Sequence, residues 1–337
     1  MEQVIRIGLD TSKHVFQVHG VNAQERPVLR KRLRRSEVER FFASLAPTQV
    51  GLEACGAAHH WARVLSRLGH DVRLLPPQYV KPYVKRGKND SADAEAICEA
   101  MARPTMRFVP VKMAENQAAL MLHGARELLI KQRTMLINAM RGYAAEFGVT
   151  AAQGVGRIGA MVYGIASDEA IPELARSIFA GLIEQLRSLD AQVRGLEKRL
   201  MAWHRENDLS RRLATIPGIG PITATALAMK VPDPAIHRSG RHFAAWVGLT
   251  PKDHSTAGRQ RLGIITRAGD ATLRSLLVNG AMAVIQKAKP GRASPWLLAL
   301  LARKPRKLAA VALANKMARI AWVVMTRNDV YRPPIAA

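Results

Sequence analysis

Acid is scarce in this chain. Across 337 residues, 26 Asp or Glu stand against 51 Lys or Arg, a formal net charge of +25. That imbalance exceeds what solubility requires and points to a polyanionic partner, DNA or RNA. The shortage is sharpest from Leu209 onward, where 21 basic residues face 4 acidic ones and +17 of the excess resides. Cysteine is nearly absent as well: Cys55 and Cys98 are the only two, which excludes a disulfide scaffold and fits a reducing cytoplasm. A zinc site from Cys55, His59, His60 and Cys98 matches no finger or ribbon spacing and is set aside. Long apolar runs are also lacking. "MEQVIRIG" opens with an acid and has no hydrophobic signal region, so no signal peptide is expected. "LAAVALANKMARIAWVVM" is broken by Lys316 and Arg319 and reads as an amphipathic or buried helix, not a membrane span. The expectation is a cytoplasmic, nucleoid-associated protein with no membrane contact. Its 48% hydrophobic content excludes wholesale disorder, and its length suffices for two or three cores.

What acid there is falls in informative places. In "RIGLDTSKHVFQVHG", Val4 to Leu9 predict a buried strand, Thr11 to Lys13 a tight turn and Val15 to Val18 a second strand, with Asp10 at the strand end. "RPVLRKRLR" supplies a third strand, and Ser36 caps a helix through Leu45. "TQVGLEACG" returns to a strand that ends at Glu53. A helix from His60 to Leu68 closes at Gly69, and "HDVRLL" gives another strand before two prolines stop it. Asp90 or Ser91 then caps a helix reaching about Ala102, with Asp90 and Asp93 on one face of its first turn. Three strands followed by strands alternating with helices is the element order of a ribonuclease-H-like fold. It brings Asp10, Glu53, Asp90 and Asp93 toward the sheet ends. Taken singly, each acid reads most simply as a cap or turn residue. Gathered with little basic partnering, they would repel one another unless cations sat among them, and two Mg²⁺ ions would clamp a phosphodiester. "GLDTS" also resembles the first phosphate loop of sugar kinases and actin-like ATPases. No second glycine-rich loop follows between Glu53 and Gly159, and a small-molecule kinase would not explain the basic C-terminal segment.

From Lys112 to Phe147 the pattern turns helical, with Leu122, Leu129, Leu136 and Tyr143 seven residues apart. A second helix carries Phe179, Leu182, Leu186, Leu189, Val193, Leu196, Leu200 and Trp203 at alternating three- and four-residue steps, a heptad seam. It predicts a coiled-coil arm for self-association; the alternative is the core helix of a monomeric bundle. Beyond Leu209, "IPGIGPITATAL" resembles a helix-hairpin-helix in which Gly218 and Gly220 would let backbone N–H groups approach a phosphate, with a plain turn between helices as the simpler reading. Ser255 lies in a polar turn flanked by Arg238, Arg241, Arg259, Arg261, Arg267 and Arg274. A serine so placed can donate a hydrogen bond to a phosphate, or attack one while guanidinium groups steady the transferring phosphoryl.

The combination "IGLDTSK", "GLEACG", "KNDSADAEAI", "IPGIGPITATAL" and "WVGLTPKDHSTAGRQRLGIITRAGDATLR" resembles insertion-sequence transposases with a RuvC-like Asp-Glu-Asp-Asp domain and a C-terminal serine-bearing transposase domain, the recombinases guided by a bridge RNA. The resemblance spans nearly the whole chain. It implies a RuvC-like domain over residues 1–111, a helical coiled-coil region over 112–208 and a basic, mainly helical serine transposase domain over 209–337. It also implies Mg²⁺ at Asp10, Glu53, Asp90 and Asp93, and a nucleophile at Ser255. The partners it implies are donor and target DNA, a structured guide RNA, and further copies of the chain, from dimer to tetramer, with the acids of one subunit facing the serine of another. In the family this motif runs nearer to two serines and two glycines; here it reads "HSTAGR", so Thr256 and Ala257 depart and the attacking hydroxyl is Ser255 or Thr256, with Ser255 preferred. The resulting expectation is Mg²⁺-assisted DNA strand exchange through a phosphoserine. A hydrolytic RuvC-like junction resolvase is the enzyme alternative, and a packaging protein with degenerate acids the non-enzymatic one.

Overall fold

Alternation along the N-terminal strands sorts their residues between two faces of one sheet. Ile7 and Leu9 of β1 (Arg6–Thr11), Phe16 and Val18 of β2 (Val15–Val21), and Val50 and Leu52 of β4 (Gln49–Glu53) are buried in one cluster. Helices α1 (Val38–Ala43) and α2 (Ala58–Arg67) contribute Phe42, Trp61 and Leu65 to the same cluster. With β3 (Pro27–Arg34) and β5 (Asp71–Leu75), the sheet runs in the order β3-β2-β1-β4-β5. β1, β2 and β3 pair antiparallel, whereas β1–β4 and β4–β5 pair parallel. The short α3 (Pro77–Val80) follows β5, and α4 (Asp90–Met101) lies on the opposite face, where Ile97 and Met101 join Leu75 and Val80 in a second core. The computed structural model describes residues 3–85, 90–152, 154–291 and 293–332, and the chain divides into two compact units, Met1–Gln117 and Ala118–Ala337.

Two boundaries differ from expectation. Asp10 stands inside β1 opposite Gln17, because pairing continues one residue further to Thr11–Phe16. Ser36 caps nothing; it sits in a 3-10 turn, Arg35–Glu37, in which the Glu37 carboxylate accepts the Arg34 N–H at 2.7 Å.

Gly8 and Gly51 are register partners across β1 and β4 and both face α4. A Cβ on Gly8 would lie 2.0 Å from the Ala94 carbonyl oxygen, and one on Gly51 would lie 2.9 Å from the Met101 sulfur. The missing side chains let α4 press onto the sheet. Gly8→Ala must displace helix backbone, so it is expected to cost at least about 3 kcal/mol, read as a lowered urea midpoint. Gly51→Ala, which meets movable side chains, should cost less.

The second unit begins with α5 (Ala114–Ala145), which spans the boundary in sequence, followed by α6 (Ile158–Ser167) and α7 (Glu173–Glu206). α5 and α7 run antiparallel, joined by Arg126–Glu197 at 2.6 Å and Arg133–Asp190 at 2.9 Å. The α7 seam expected to bind another chain is largely consumed within the protomer. Phe179, Leu186, Leu189, Val193 and Leu200 are buried, the first two in a core with Ile137, Met140 and α6. The periodicity was compatible with either partner, and the chain supplies its own.

The remaining helices are α8 (Asp208–Leu213), α9 (Pro221–Lys230), α10 (Gly240–Trp246), α11 (Ala271–Gln286), α12 (Pro295–Arg303) and α13 (Arg306–Arg327), with a two-stranded hairpin of β6 (Pro251–Asp253) and β7 (Leu262–Ile265). His123 on α5 bonds Thr225 on α9 at 3.1 Å, and Glu127 accepts from Thr272 on α11 at 2.7 Å, so the helical pair belongs to the same unit as the basic segment. α13 has the length and apolar composition to cross a membrane, but half of that window is buried, with Ala314, Met317 and Ala321 in the largest core.

Candidate active site

The acids meet at one end of the sheet because of strand register and helix direction. Gly8 faces α4, so Asp10, two residues on, shares that face; Gly51 and Glu53 do likewise. β1 and β4 are paired through Leu9–Leu52, which places Asp10 and Glu53 one step beyond, at the same strand ends. The Cys98 carbonyl accepts from Arg6 Nε at 3.1 Å, while the Ala94 carbonyl crowds Gly8. α4 therefore runs opposite to β1 and brings its first turn, with Asp93, to the end where Asp10 stands.

Asp10, Glu53 and Asp93 are all half-buried. Burial raises the Glu53 carboxyl above the ordinary carboxylate range, and the Asp93 charge raises it further. Asp90 opens α4, but its side chain lies outside the described residues. Among the described residues no three His, Cys, Asp or Glu side chains close into a metal-holding group. The donor chemistry nevertheless fits a hard divalent cation: the side chains brought to this end are carboxylates, and part of what raises Glu53, after burial, is the Asp93 charge, a repulsion a cation would relieve. Asp10, Glu53, Asp93 and Asp90 are the residues that would hold it. The zinc reading finds no support in the geometry. His59 accepts the Lys112 N–H at 3.2 Å and is pushed down to about 4 by burial, Lys112 and Arg63. Cys98 is buried on α4, across the sheet from α2, and its thiol is pushed up by burial.

In the second unit Ser255 sits at the tip of the β6–β7 hairpin, in an exposed stretch. Its N–H donates to Asp253 Oδ1 at 2.8 Å, and its Oγ accepts the Arg261 N–H at 3.0 Å. The Asp253 carboxyl is held below its ordinary value, chiefly by a hydrogen bond from the Ser255 side chain and then by the Ser255 N–H. Asp253 therefore orients the serine, a contact that the sequence reading missed; its only signal was an acid two residues before a serine in a basic stretch. Thr256 to Arg259 close a tight turn in which Ala257 has φ 46° and Gly258 φ 77°. The left-handed conformation at Ala257 costs about 1–2 kcal/mol and sits where the resemblance would place glycine.

The arginines divide into two sets. Arg238, Arg241, Arg259, Arg261 and Arg267 are exposed. Arg274 is half-buried, and its guanidinium donates to the Val247 carbonyl at 2.9 Å and the Ala268 carbonyl at 2.8 Å, pinning the hairpin base. There Gly248 and Gly269, both at positive φ, pass too close to opposing backbone to carry a side chain. Gly218, also at positive φ, abuts Met317, Val284 and the Gly280 carbonyl, so core packing accounts for its missing side chain; a Cβ on Gly220 would meet nothing.

A sheet of this order with acids at its parallel strand ends, joined in one chain to a cationic helical unit, defines a DNA-processing α/β enzyme of ribonuclease-H-like fold. A model of Asp-Glu-Asp-Asp transposases of the IS110 type, described as a transposase, matches residues 7–147, and the transposase IS116/IS110/IS902 family model matches residues 210–296. A Sinorhizobium fredii protein, y4pF/y4sB, described as a transposase, is 60% identical over 98% of this chain and 87% of its own. The transposase for insertion sequence element IS1328 of Yersinia enterocolitica is 39% identical over 98% of this chain and 99% of its own. A shorter match, 28% identical over 36% of this chain and 38% of the other, is to a pilin gene-inverting protein of Moraxella bovis. The chain belongs to the IS116/IS110/IS902 family of insertion-sequence transposases, and its first domain is RuvC-like. It is thus an enzyme that cleaves and recombines DNA, of a domain class that typically uses a divalent metal.

Proposed function

We propose that this transposase exchanges DNA strands through a covalent phosphoserine at Ser255. The Ser255 oxygen attacks a phosphodiester phosphorus, the bond to one deoxyribose oxygen breaks, and that oxygen leaves as a hydroxyl carrying the serine's proton. A hydroxyl on the incoming strand then attacks the phosphoserine, restoring the diester and the serine. Atoms balance and the phosphodiester energy is conserved, as rejoining without an external energy source requires. The observation that carries this reading is the placement of Ser255: exposed at a hairpin tip and oriented by Asp253 and Arg261, with Arg259 two residues beyond Ala257 on the same tip. The Moraxella relative's name, gene inversion, describes an outcome that needs cut strands to be rejoined.

In this reading Asp10, Glu53, Asp90 and Asp93 hold Mg²⁺, which would polarise the phosphate and steady the leaving oxygen. Arg238, Arg241, Arg259, Arg261 and Arg267, with the backbone at Gly220, grip phosphates without reading bases. Sequence choice comes from a structured guide RNA that pairs with donor and target DNA in the cytoplasm, since base pairing specifies what phosphate contacts cannot. The test is a suicide substrate nicked beside the exchange point, followed by peptide mapping. A protein–DNA adduct at Ser255 is expected. Mg²⁺-dependent cleavage with no adduct at any residue would hand the reaction to water and make the protein a resolvase-like hydrolase.

A further inference from the structure

One face of α13 looks into a groove of about 1400 Å³. Leu308, Val311, Asn315, Arg319 and Val323 recur along that face at steps of three and four, opposite the face that buries Ala314, Met317 and Ala321 in the core. Trp296 and Leu300 of α12 and Gly263, Ile264 and Ile265 of β7 also line it. Ile264, Leu308 and Trp296 are 66%, 53% and 39% exposed, an open apolar lining of the kind that marks an interaction site. The rim is cationic. Gly240 passes so close to Arg319 that a Cβ would lie 3.0 Å from its carbonyl oxygen, which brings Arg241 and Arg319 to one edge. Arg241, Lys304 and Arg319 are exposed, and among the described residues none of them pairs with a carboxylate. Asp329, the one acid in the described lining, is met by Arg332 at 3.6 Å. Lys316 stands over the Trp296 ring at 4.3 Å, so ring and charge are held side by side.

An apolar, aromatic floor inside a ring of cations suits an unpaired nucleic-acid strand, whose phosphates take the charges and whose base faces take the ring. A duplex keeps its base faces in its own stack and would leave Trp296 and Ile264 bare. The volume also exceeds the roughly 300–1,000 Å³ of a small-molecule pocket and suits a short run of nucleotides. The groove lies beside the nucleophile, because its β7 wall belongs to the hairpin that carries Ser255. Ile264 is three residues, about 10 Å of strand, beyond Arg261, whose N–H reaches the Ser255 oxygen. Exchange requires bases next to the cut to leave one partner before pairing with another, so unpaired DNA arises at this hairpin. We infer that the groove binds unpaired nucleotides of the DNA strand adjoining the attacked phosphate. Bases lie against Trp296 and the α13 face, and phosphates on Arg241, Lys304 and Arg319. The position relative to the cut rests on Ser255 as the nucleophile; the capture of single-stranded DNA does not.

The experiment uses the full chain and a labelled oligodeoxythymidine of about 8 nucleotides, within the roughly 4–16 of single-strand sites, titrated by fluorescence anisotropy beside a labelled duplex. Trp296→Leu keeps an apolar side chain but loses the ring face, and should bind the oligonucleotide about 10-fold more weakly. Leu308→Glu sets an acid in the groove at an exposed position in the first turn of α13, where an acid suits the helix, and should weaken it similarly. Both variants should keep the wild-type circular-dichroism melt and near wild-type duplex affinity; should Trp296→Leu fail to fold, Leu308→Glu decides. A nicked substrate carrying iodouracil beside the exchange point should photocrosslink to the Trp296 peptide in the wild type and in Ser255→Ala alike. A crosslink without a serine adduct would therefore sink the phosphoserine reading alone, and an adduct without the crosslink would sink the groove alone. Wild-type oligonucleotide affinity in the folded variants, an equal loss of duplex binding, no binding by the wild type, or tighter binding of the matching oligoribonucleotide would each overturn the assignment.

Discussion

Ser255→Ala is expected to reduce strand exchange by on the order of 10⁴-fold or more, because removing a covalent nucleophile leaves only binding and positioning. Binding to duplex DNA should stay at the wild-type level, since the exposed arginines that supply the phosphate contacts are untouched. Two neighbouring substitutions give the result its meaning. Thr256→Ala should retain exchange, because Thr256 serves the turn through its backbone hydrogen bonds with Arg259. Asp253→Asn keeps an oxygen that can accept the Ser255 N–H but loses the charge that draws in the hydroxyl proton. A loss of about 10²-fold is expected, within the range for a group assisting proton transfer. The asparagine variant should also steepen the rise of adduct formation with pH, as more of the proton's removal falls to solvent base. Single-turnover assays on the nicked substrate separate these effects from binding. Near-normal cleavage by Ser255→Ala would reduce the serine to a phosphate contact.

The second large effect lies at the carboxylates. Asp10→Asn, Glu53→Gln and Asp93→Asn should each abolish cleavage, and EDTA should do the same to the wild type. A readout that needs no turnover distinguishes a metal site from a structural cluster. In EDTA, Glu53→Gln should unfold at a slightly higher temperature than wild type, because it removes a half-buried charge that Asp93 opposes. Added Mg²⁺ should reverse the order. At about 100 times its Kd a bound ion stabilises the wild type by about 2.7 kcal/mol, and the variants with a weakened site gain less. Full exchange by Glu53→Gln, or equal stabilisation of wild type and variant by Mg²⁺, would make the cluster structural.

Local patterning determined much of this protein. Runs of strand-forming residues marked the five strands, Asp10 and Glu53 fell at or next to the ends of two of them, and the helix expected to start at Asp90 or Ser91 is α4, which begins at Asp90; that those two strands are adjacent and parallel came from the structure. The charge imbalance pointed to nucleic acid, and the quoted motifs to the transposase family, because composition and short spacings are carried by the chain itself. What a seam binds is a different kind of fact. The heptads of α7 were legible, yet whether another chain or this one buried them was not, and in the tertiary structure Phe179 and Leu186 are covered by α6 and by α5, whose contacting residues lie about 40 to 70 positions away. The same holds for Arg274, one arginine among six in sequence, whose carbonyl partners at the hairpin base emerge only when Val247 and Ala268 come together. It holds again for Asp253, whose value lies in the return of β7 that brings the Arg261 N–H to the serine. Periodicity fixes which side of an element is apolar; only the packed chain decides what covers it, because burial is a property of two surfaces and each is encoded in a separate stretch of sequence.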